Sequence, residues 1–145
     1  MMTMFPAMNI QLAPDAFMPA YAHDTDAGAD LFTPVDFTLN PWEPLFIDTG
    51  VHIELGDSMK AEIVPKSGLY RDYRIITFGL IDQGYSGPIG VTLYKLGGKP
   101  HHFERGDKIT QLVISPVLHP RFTQVEQIGA GPRGTGGFGS TGVRL

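Results

Sequence analysis

Four stretches of the chain alternate apolar and polar side chains: VDFTL at 35–39, VHIEL at 51–55, MKAEI at 59–63 and VTLYK at 91–95. On an extended backbone this period of two turns one set of side chains toward a core and the other toward water, so each stretch predicts a half-buried β-strand. Turn signals separate them at Asn40-Pro41, Gly56-Asp57, Gly97-Gly98 and Gly106-Asp107, and 18 glycines with 12 prolines leave little uninterrupted room for helices. A turn at 105–107 leads into a further strand whose apolar run is interrupted by Gln111. The one helix the pattern predicts runs from Ser67 to about Tyr73, with Pro65 and Ser67 marking its start. These elements predict an all-β, jelly-roll-like sandwich or barrel with one short helix.

At 145 residues the chain predicts a single core that buries about two-thirds of the unfolded surface. A body at 1–128 is followed by a glycine-rich arm at 129–145, and there is no internal repeat. The net charge of -4 argues against broad nucleic-acid or anionic-membrane binding, which needs a basic face. With no cysteine, disulfides, thiolate catalysis and cysteine-ligated zinc are excluded. Residues 1–14 carry no basic region followed by an apolar run, and no apolar stretch approaches the ~20 residues of a membrane span, so a soluble cytoplasmic protein is expected.

Candidate chemistry is concentrated at four places. The arm reads PRGTGGFGSTG at 132–142. Its glycines allow close backbone approach to a ligand. Arg133, Ser140 and Thr141 offer donors for phosphate oxygens, and Phe138 offers a flat apolar face. That combination suits a nucleotide, the alternative being a flexible tail without a ligand. Gly134, Gly136 and Gly139 satisfy GxGxxG, but six residues remain and no helix can follow. A P-loop fails as well, because Ser140 stands where its lysine belongs. Lys66, Ser67 and Gly68 place a cation, a hydroxyl and approachable amides at the start of the predicted helix, which reads either as a phosphate site or as an ordinary cap beside a solvated lysine. The stretch 79–89 reads as a hairpin or wide turn whose tip carries Asp82 and Tyr85, either facing a ligand or forming a plain surface turn. Gln111 either pairs internally or faces the site. His101 and His102, adjacent on a strand, point to opposite faces and do not form a metal pair, and Trp42 reads as a packing or subunit-contact residue.

Five segments, AGADLF at 27–32, PKSGLY at 65–70, GLIDQGYSG at 79–87, RGDKITQLVI at 105–114 and RGTGGFGSTG at 133–142, resemble in order and approximate spacing the five motifs of the trimeric dUTP pyrophosphatases. The resemblance implies a jelly-roll homotrimer with active sites shared among chains, hydrolysing dUTP to dUMP and pyrophosphate with Mg²⁺. It implies that Asp82 activates the water attacking the α-phosphate and that Tyr85 lies beneath the deoxyribose, leaving no room for a 2′-OH. Backbone groups of Gly79, Leu80, Ile81 and Asp82, and near Gly90, would read the uracil edge. Lys66, Ser67, Gly68 and Gln111 would hold the phosphate chain. Arg133, Gly139, Ser140 and Thr141 would close over the γ-phosphate with Phe138 stacked on uracil, and Asp30 would contact Mg²⁺ through water.

Two departures stand out. Lys66 occupies a position that is usually arginine, replacing a bidentate fork with a point charge. Where many members carry an asparagine four residues before the LID triplet, this chain has Ile76, with Thr77 as a candidate substitute. The dCTP deaminases share the fold, but the resemblance gives them a catalytic glutamate and a different second motif, which this chain lacks. A jelly-roll protein that binds the nucleotide and signals to a partner is the reading from a different class.

Overall fold

Eleven short strands and one helix follow one another in the computed structural model, which describes residues 7–144; residues 1–6 and 145, including the last residue of the arm, lie outside it. In chain order they are β1 (Ile10–Leu12), β2 (Ala29–Phe32), β3 (Phe37–Leu39), β4 (Leu45–Asp48), β5 (Val51–Ile53), β6 (Met59–Val64), α1 (Ser67–Tyr73), β7 (Ile75–Ile76), β8 (Gly79–Ile81), β9 (Gly90–Lys95), β10 (His101–Phe103) and β11 (Lys108–Pro116). They form a four-stranded sheet β2-β11-β6-β8, a three-stranded sheet β4-β9-β7 and two ribbons, β1-β5 and β10-β3. Every pairing is antiparallel, and the architecture is the predicted all-β, jelly-roll-like one.

The alternation seen in the sequence appears directly as burial. Ala61 and Ile63 of β6 and Val91 and Leu93 of β9 point inward and are nearly inaccessible, while their neighbours along each strand are partly exposed. Leu31, Leu39, Ile75, Ile81, Phe103, Ile109 and Leu112 complete one continuous core, in which each fully buried aliphatic side chain contributes about 1.5–3 kcal/mol. Four buried threonines close their hydroxyls onto main-chain carbonyls: Thr33 to Val35, Thr49 to Ile89, Thr77 to Thr92 and Thr110 to Val64. The core therefore holds polar groups without orphaning them.

The helix occupies the predicted residues. Its start differs in detail, because the cap is Lys66 in extended conformation with no side-chain cap bond, and Ser67 is already helical. Its other end is fixed by Lys95, buried at the end of β9, whose Nζ donates to Tyr73 O at 2.7 Å. Two strands are shorter than the alternation suggests. Thr33 Oγ1 turns back onto Val35 O, so β3 begins at Phe37, and β5 stops at Ile53. The larger correction concerns 79–89. Its wide turn exists, but β8 pairs with β6 while β9 pairs with β4 and β7, so the chain crosses between sheets instead of forming a hairpin. Among the described residues no helix is long and apolar enough to cross a membrane.

Candidate active site

The sheet order builds the first half of the site. Gln111 of β11 lies between Asp30 of β2 and Val64 of β6, and Val64 leads through Pro65 to Lys66 and the first turn of α1. Three of the five motif segments thus meet at one end of the sheet. Gln111 packs over Gly28, where a Cβ would fall 3.0 Å from its own Cβ, so the bare glycine makes room for the amide. Gly68 has nothing within 4 Å of where a Cβ would stand, leaving its backbone open to a ligand.

Asp30 is the electrostatic centre of this half. It is 3 % exposed, with Lys66 Nζ 2.5 Å from Oδ1 and Lys108 Nζ 2.8 Å from Oδ2. Two ammonium groups around one carboxylate leave a net positive charge beside Ser67, Gly68 and Gln111, which suits a polyphosphate. Burial pushes the Asp30 carboxyl up, and the two lysines, Lys108 ahead of Lys66, more than reverse it, so the group sits below the ordinary carboxylate value. Lys108 did not figure among the sequence candidates. Its position depends on a β-bulge between Lys108 and Thr110 against β2, which turns Ile109 and Thr110 both inward; a bulge re-aims its flanking side chains, and no residue pattern announces this one.

Removing one partner from a buried ion pair costs about 3–5 kcal/mol. Because Lys66 and Lys108 reach water, Asp30→Asn is expected to destabilise the fold by less, about 2 kcal/mol in urea unfolding at neutral pH. A carboxyl depressed on folding stabilises the native state above its unfolded pKa and loses that contribution as pH falls through the lower folded value. The gap between wild type and Asp30→Asn should therefore close below about pH 4, and a gap that widened there would contradict this account.

The second half lies at the other end of β6. Asp82 follows Ile81, which pairs with Ala61, whereas Lys66 lies beyond Val64, about 16 Å further along the strand direction at ~3.3 Å per residue. Asp82 is exposed and lines a cleft of ≈ 420 Å³ with Met59, Lys60, Leu80 and Val117. Its carboxylate makes no hydrogen bond or ion pair among the described residues. Gly79, Leu80 and Ile81 form the edge strand β8, whose outer N–H and C=O groups have no neighbouring strand and remain available to a base edge. Tyr85 folds back over its own loop, donating from Oη to Pro88 O at 2.8 Å. A Cβ at Gly87 would stand 2.5 Å from that oxygen, so only glycine lets the ring lie there. At Gly90 a Cβ would fall 2.3 Å from Phe46 Cε2; the missing side chain lets that ring rest on the strand. Ile76 pairs with Tyr94, and Thr77, 2 % exposed, donates its hydroxyl to Thr92 O, so that hydroxyl is already engaged within the chain.

The chain after β11 makes no hydrogen bond to either half among the described residues, although His119, near its start, lines the Asp82 cleft. Residues 118–144 are exposed, and their hydrogen bonds among the described residues stay within the segment. Arg133 Nε donates to Gly136 O at 2.8 Å and its Nη2 to Ser140 Oγ at 2.9 Å, which draws the arginine and the hydroxyl together. Phe138 projects freely into solvent, and Gly139 and Gly142 take positive φ, as only glycine does readily. Thr141 stands exposed beside them. Among the described residues no group of three or more histidines or carboxylates is placed to hold a metal ion.

A core of this topology, with four motif segments at the two ends of β6 and the fifth on the exposed arm, is an all-β fold of the dUTPase class. The family model for dUTPase matches residues 15–142. The chain is 44% identical over 134 residues to the deoxyuridine 5′-triphosphate nucleotidohydrolase of Clostridium tetani, a match covering 90% of this chain and 92% of that one. It superposes on a dUTPase of Staphylococcus bacteriophage 80alpha solved with dUpNHpp, with a TM-score of 0.86 and 29% identity, covering 96% of this chain and 100% of the other. A dUTPase of phage phi11 of S. aureus, described with a structural Mg(II) ion, superposes with a TM-score of 0.79 and 25% identity, covering 86% of this chain and 100% of that one. The chain belongs to the dUTPase family, whose reaction is the hydrolysis of dUTP to dUMP and pyrophosphate.

Proposed function

We propose that the chain performs this hydrolysis at sites assembled between copies of itself, with Asp82 as the general base. The observation that carries the proposal is the separation of the two halves. The polyphosphate-attracting end around Asp30, Lys66 and Lys108 and the Asp82 cleft sit at opposite ends of β6, too far apart for one nucleotide to span both within one chain. A second chain bringing its Lys66 end against the Asp82 cleft would complete the site. The segment leading into the arm, with Leu118, Phe122 and Ile128 all more than 80% exposed, would then carry the arm onto a neighbour. Phe46 and Phe78 stand exposed on β4 and beside β8, with Phe78 stacked on Tyr94 at 5.8 Å, and exposed aromatic surface of that kind calls for a partner. A homotrimer fits three such segments.

In this arrangement uracil meets the outer edge of Gly79, Leu80, Ile81 and Asp82 together with the backbone near Gly90, and Tyr85 excludes a ribose 2′-OH. A cytosine amino group would leave buried polar groups unpaired at about 1–3 kcal/mol each. The Asp82 carboxylate takes a proton from water as the water oxygen bonds to the α-phosphorus. The bond from that phosphorus to the bridging oxygen breaks, and pyrophosphate leaves. Ser67, Gly68 and Gln111 hold the phosphates, and Lys66 and Lys108 lend charge. When bound, Mg²⁺ neutralises phosphate charge and fixes the chain of oxygens. Asp30 suits a contact to it through water only, since direct coordination would displace a lysine. Arg133, Gly139, Ser140 and Thr141 close over the γ-phosphate, Phe138 covers the base, and the substrate pool is the cytoplasmic one.

Incubation of the purified protein with each nucleoside triphosphate tests the proposal. Pyrophosphate should appear from dUTP and far more slowly from UTP, dCTP and dTTP; ammonia release would instead mark a deaminase, and the absence of turnover would mark a binder. Light scattering should give three times the chain mass of 15.8 kDa, and a monomer at micromolar concentration would defeat the shared site.

A further inference from the structure

The loop that carries Asp82 and Tyr85 is tied to the body on two sides. On its far side His52 Nδ1 lies 2.8 Å from Ser86 O. On the near side the Gln83 amide reaches the turn between β5 and β6: Oε1 accepts from the Ser58 N–H at 3.1 Å and Nε2 donates to Asp57 Oδ1 at 2.8 Å. Ser58 has φ 56, a left-handed conformation uncommon for a non-glycine residue. Its carbonyl accepts from the Val117 N–H at 2.8 Å, just past the end of β11. One short turn therefore joins the residue next to Asp82 to the end of β11.

We propose that Gln83 is a positioning residue that aims Asp82, through a two-point clamp on Asp57 and Ser58; this rests on Asp82 being the general base. Beyond Ile81 the edge strand ends, and the turn from Asp82 to Tyr85 is closed by a 3.2 Å backbone bond and a glycine at φ 89. Such a turn leaves the Asp82 carboxylate free to wander, and a displacement of about 1 Å costs of the order of a hundredfold in rate. A glutamine fits because one planar amide presents a donor to the Asp57 carboxylate and an acceptor to the Ser58 N–H. A glutamate in its place would set two carboxylates against each other, and a leucine would keep the volume and lose both bonds.

Steady-state hydrolysis of dUTP and equilibrium binding of dUMP by the full chain test the clamp. Gln83→Leu should lower kcat about tenfold to a hundredfold while KM and dUMP affinity change less than about threefold. Gln83→Glu should show a comparable loss, and Gln83→Glu combined with Asp57→Asn should recover to within about threefold of wild type. In that pair the second substitution supplies an N–H₂ group to the new carboxylate while the Ser58 N–H goes on donating to it. If Gln83→Leu does not fold, the glutamate pair decides alone. A kcat for Gln83→Leu within about twofold of wild type would overturn the proposal, as would binding lost in step with turnover or a double variant that recovers nothing. Asp82→Asn runs in the same assay: if it keeps its turnover, the assignment of the base fails, whatever Gln83 shows.

Discussion

Asp82→Asn is expected to hydrolyse dUTP about 10²- to 10⁴-fold more slowly than wild type, the usual contribution of a positioned general base, while binding dUMP as before. The side chain stands exposed at the end of β8, and its carboxylate has no protein partner among the described residues. Replacing it by an isosteric amide therefore disturbs no packing and breaks no ion pair. What changes is the capacity to take a proton from water. The groups proposed to recognise base and sugar, the edge of β8 and Tyr85, stay in place in this variant. A kcat within about threefold of wild type would show that some other group activates the water.

Deletion of the chain from Arg133 onward should separate binding from turnover. Among the described residues the segment beyond Val117 makes no hydrogen bond to the body of its own chain and its side chains are exposed, so the deletion variant should fold and melt like the full chain. It should bind dUMP at the Asp82 cleft, because the groups proposed to hold base and sugar remain. Hydrolysis of dUTP should fall far more than binding, since the proposed clamp of Arg133, Ser140 and Thr141 on the γ-phosphate is lost and with it the alignment of the α-phosphorus for in-line attack. Phe138→Ala should lose less, bounded by about 1–3 kcal/mol for one base on one ring. Full turnover from the truncated protein would make the arm dispensable, and failure to assemble would make it structural.

What the sequence made legible was governed by local physics. The alternation at 59–63 and 91–95 became β6 and β9 because both lie between neighbouring strands and bury one face. The helix at 67–73 was legible because Pro65 and the polar run after it leave no strand pattern to compete. The segment 79–89 was legible as a hairpin or a wide turn, and only the register decided for the turn, because glycines and a turn between two apolar runs look the same whether the runs pair with each other or with strands elsewhere. Lys108 escaped notice for a related reason: its meeting with Asp30 is made by strand order and a bulge, neither of which leaves a local mark. The candidate residues of the site were legible as five segments, but the division of four of them between the two ends of β6 required the register.

Phe46 and Gly90 share one volume on the outer face of the β4-β9-β7 sheet. A side chain at 90 would meet the far end of an aromatic ring that is 64% exposed, not a wall of backbone, so the ring would yield by rotating away. Enlarging position 90 thus reshapes the surface and spares the core, which makes the pair a tolerant place for sequence drift. Bulk added at position 90 would change the contour of this face, beside the backbone proposed to read the base, while the core beneath the strand stays as it is.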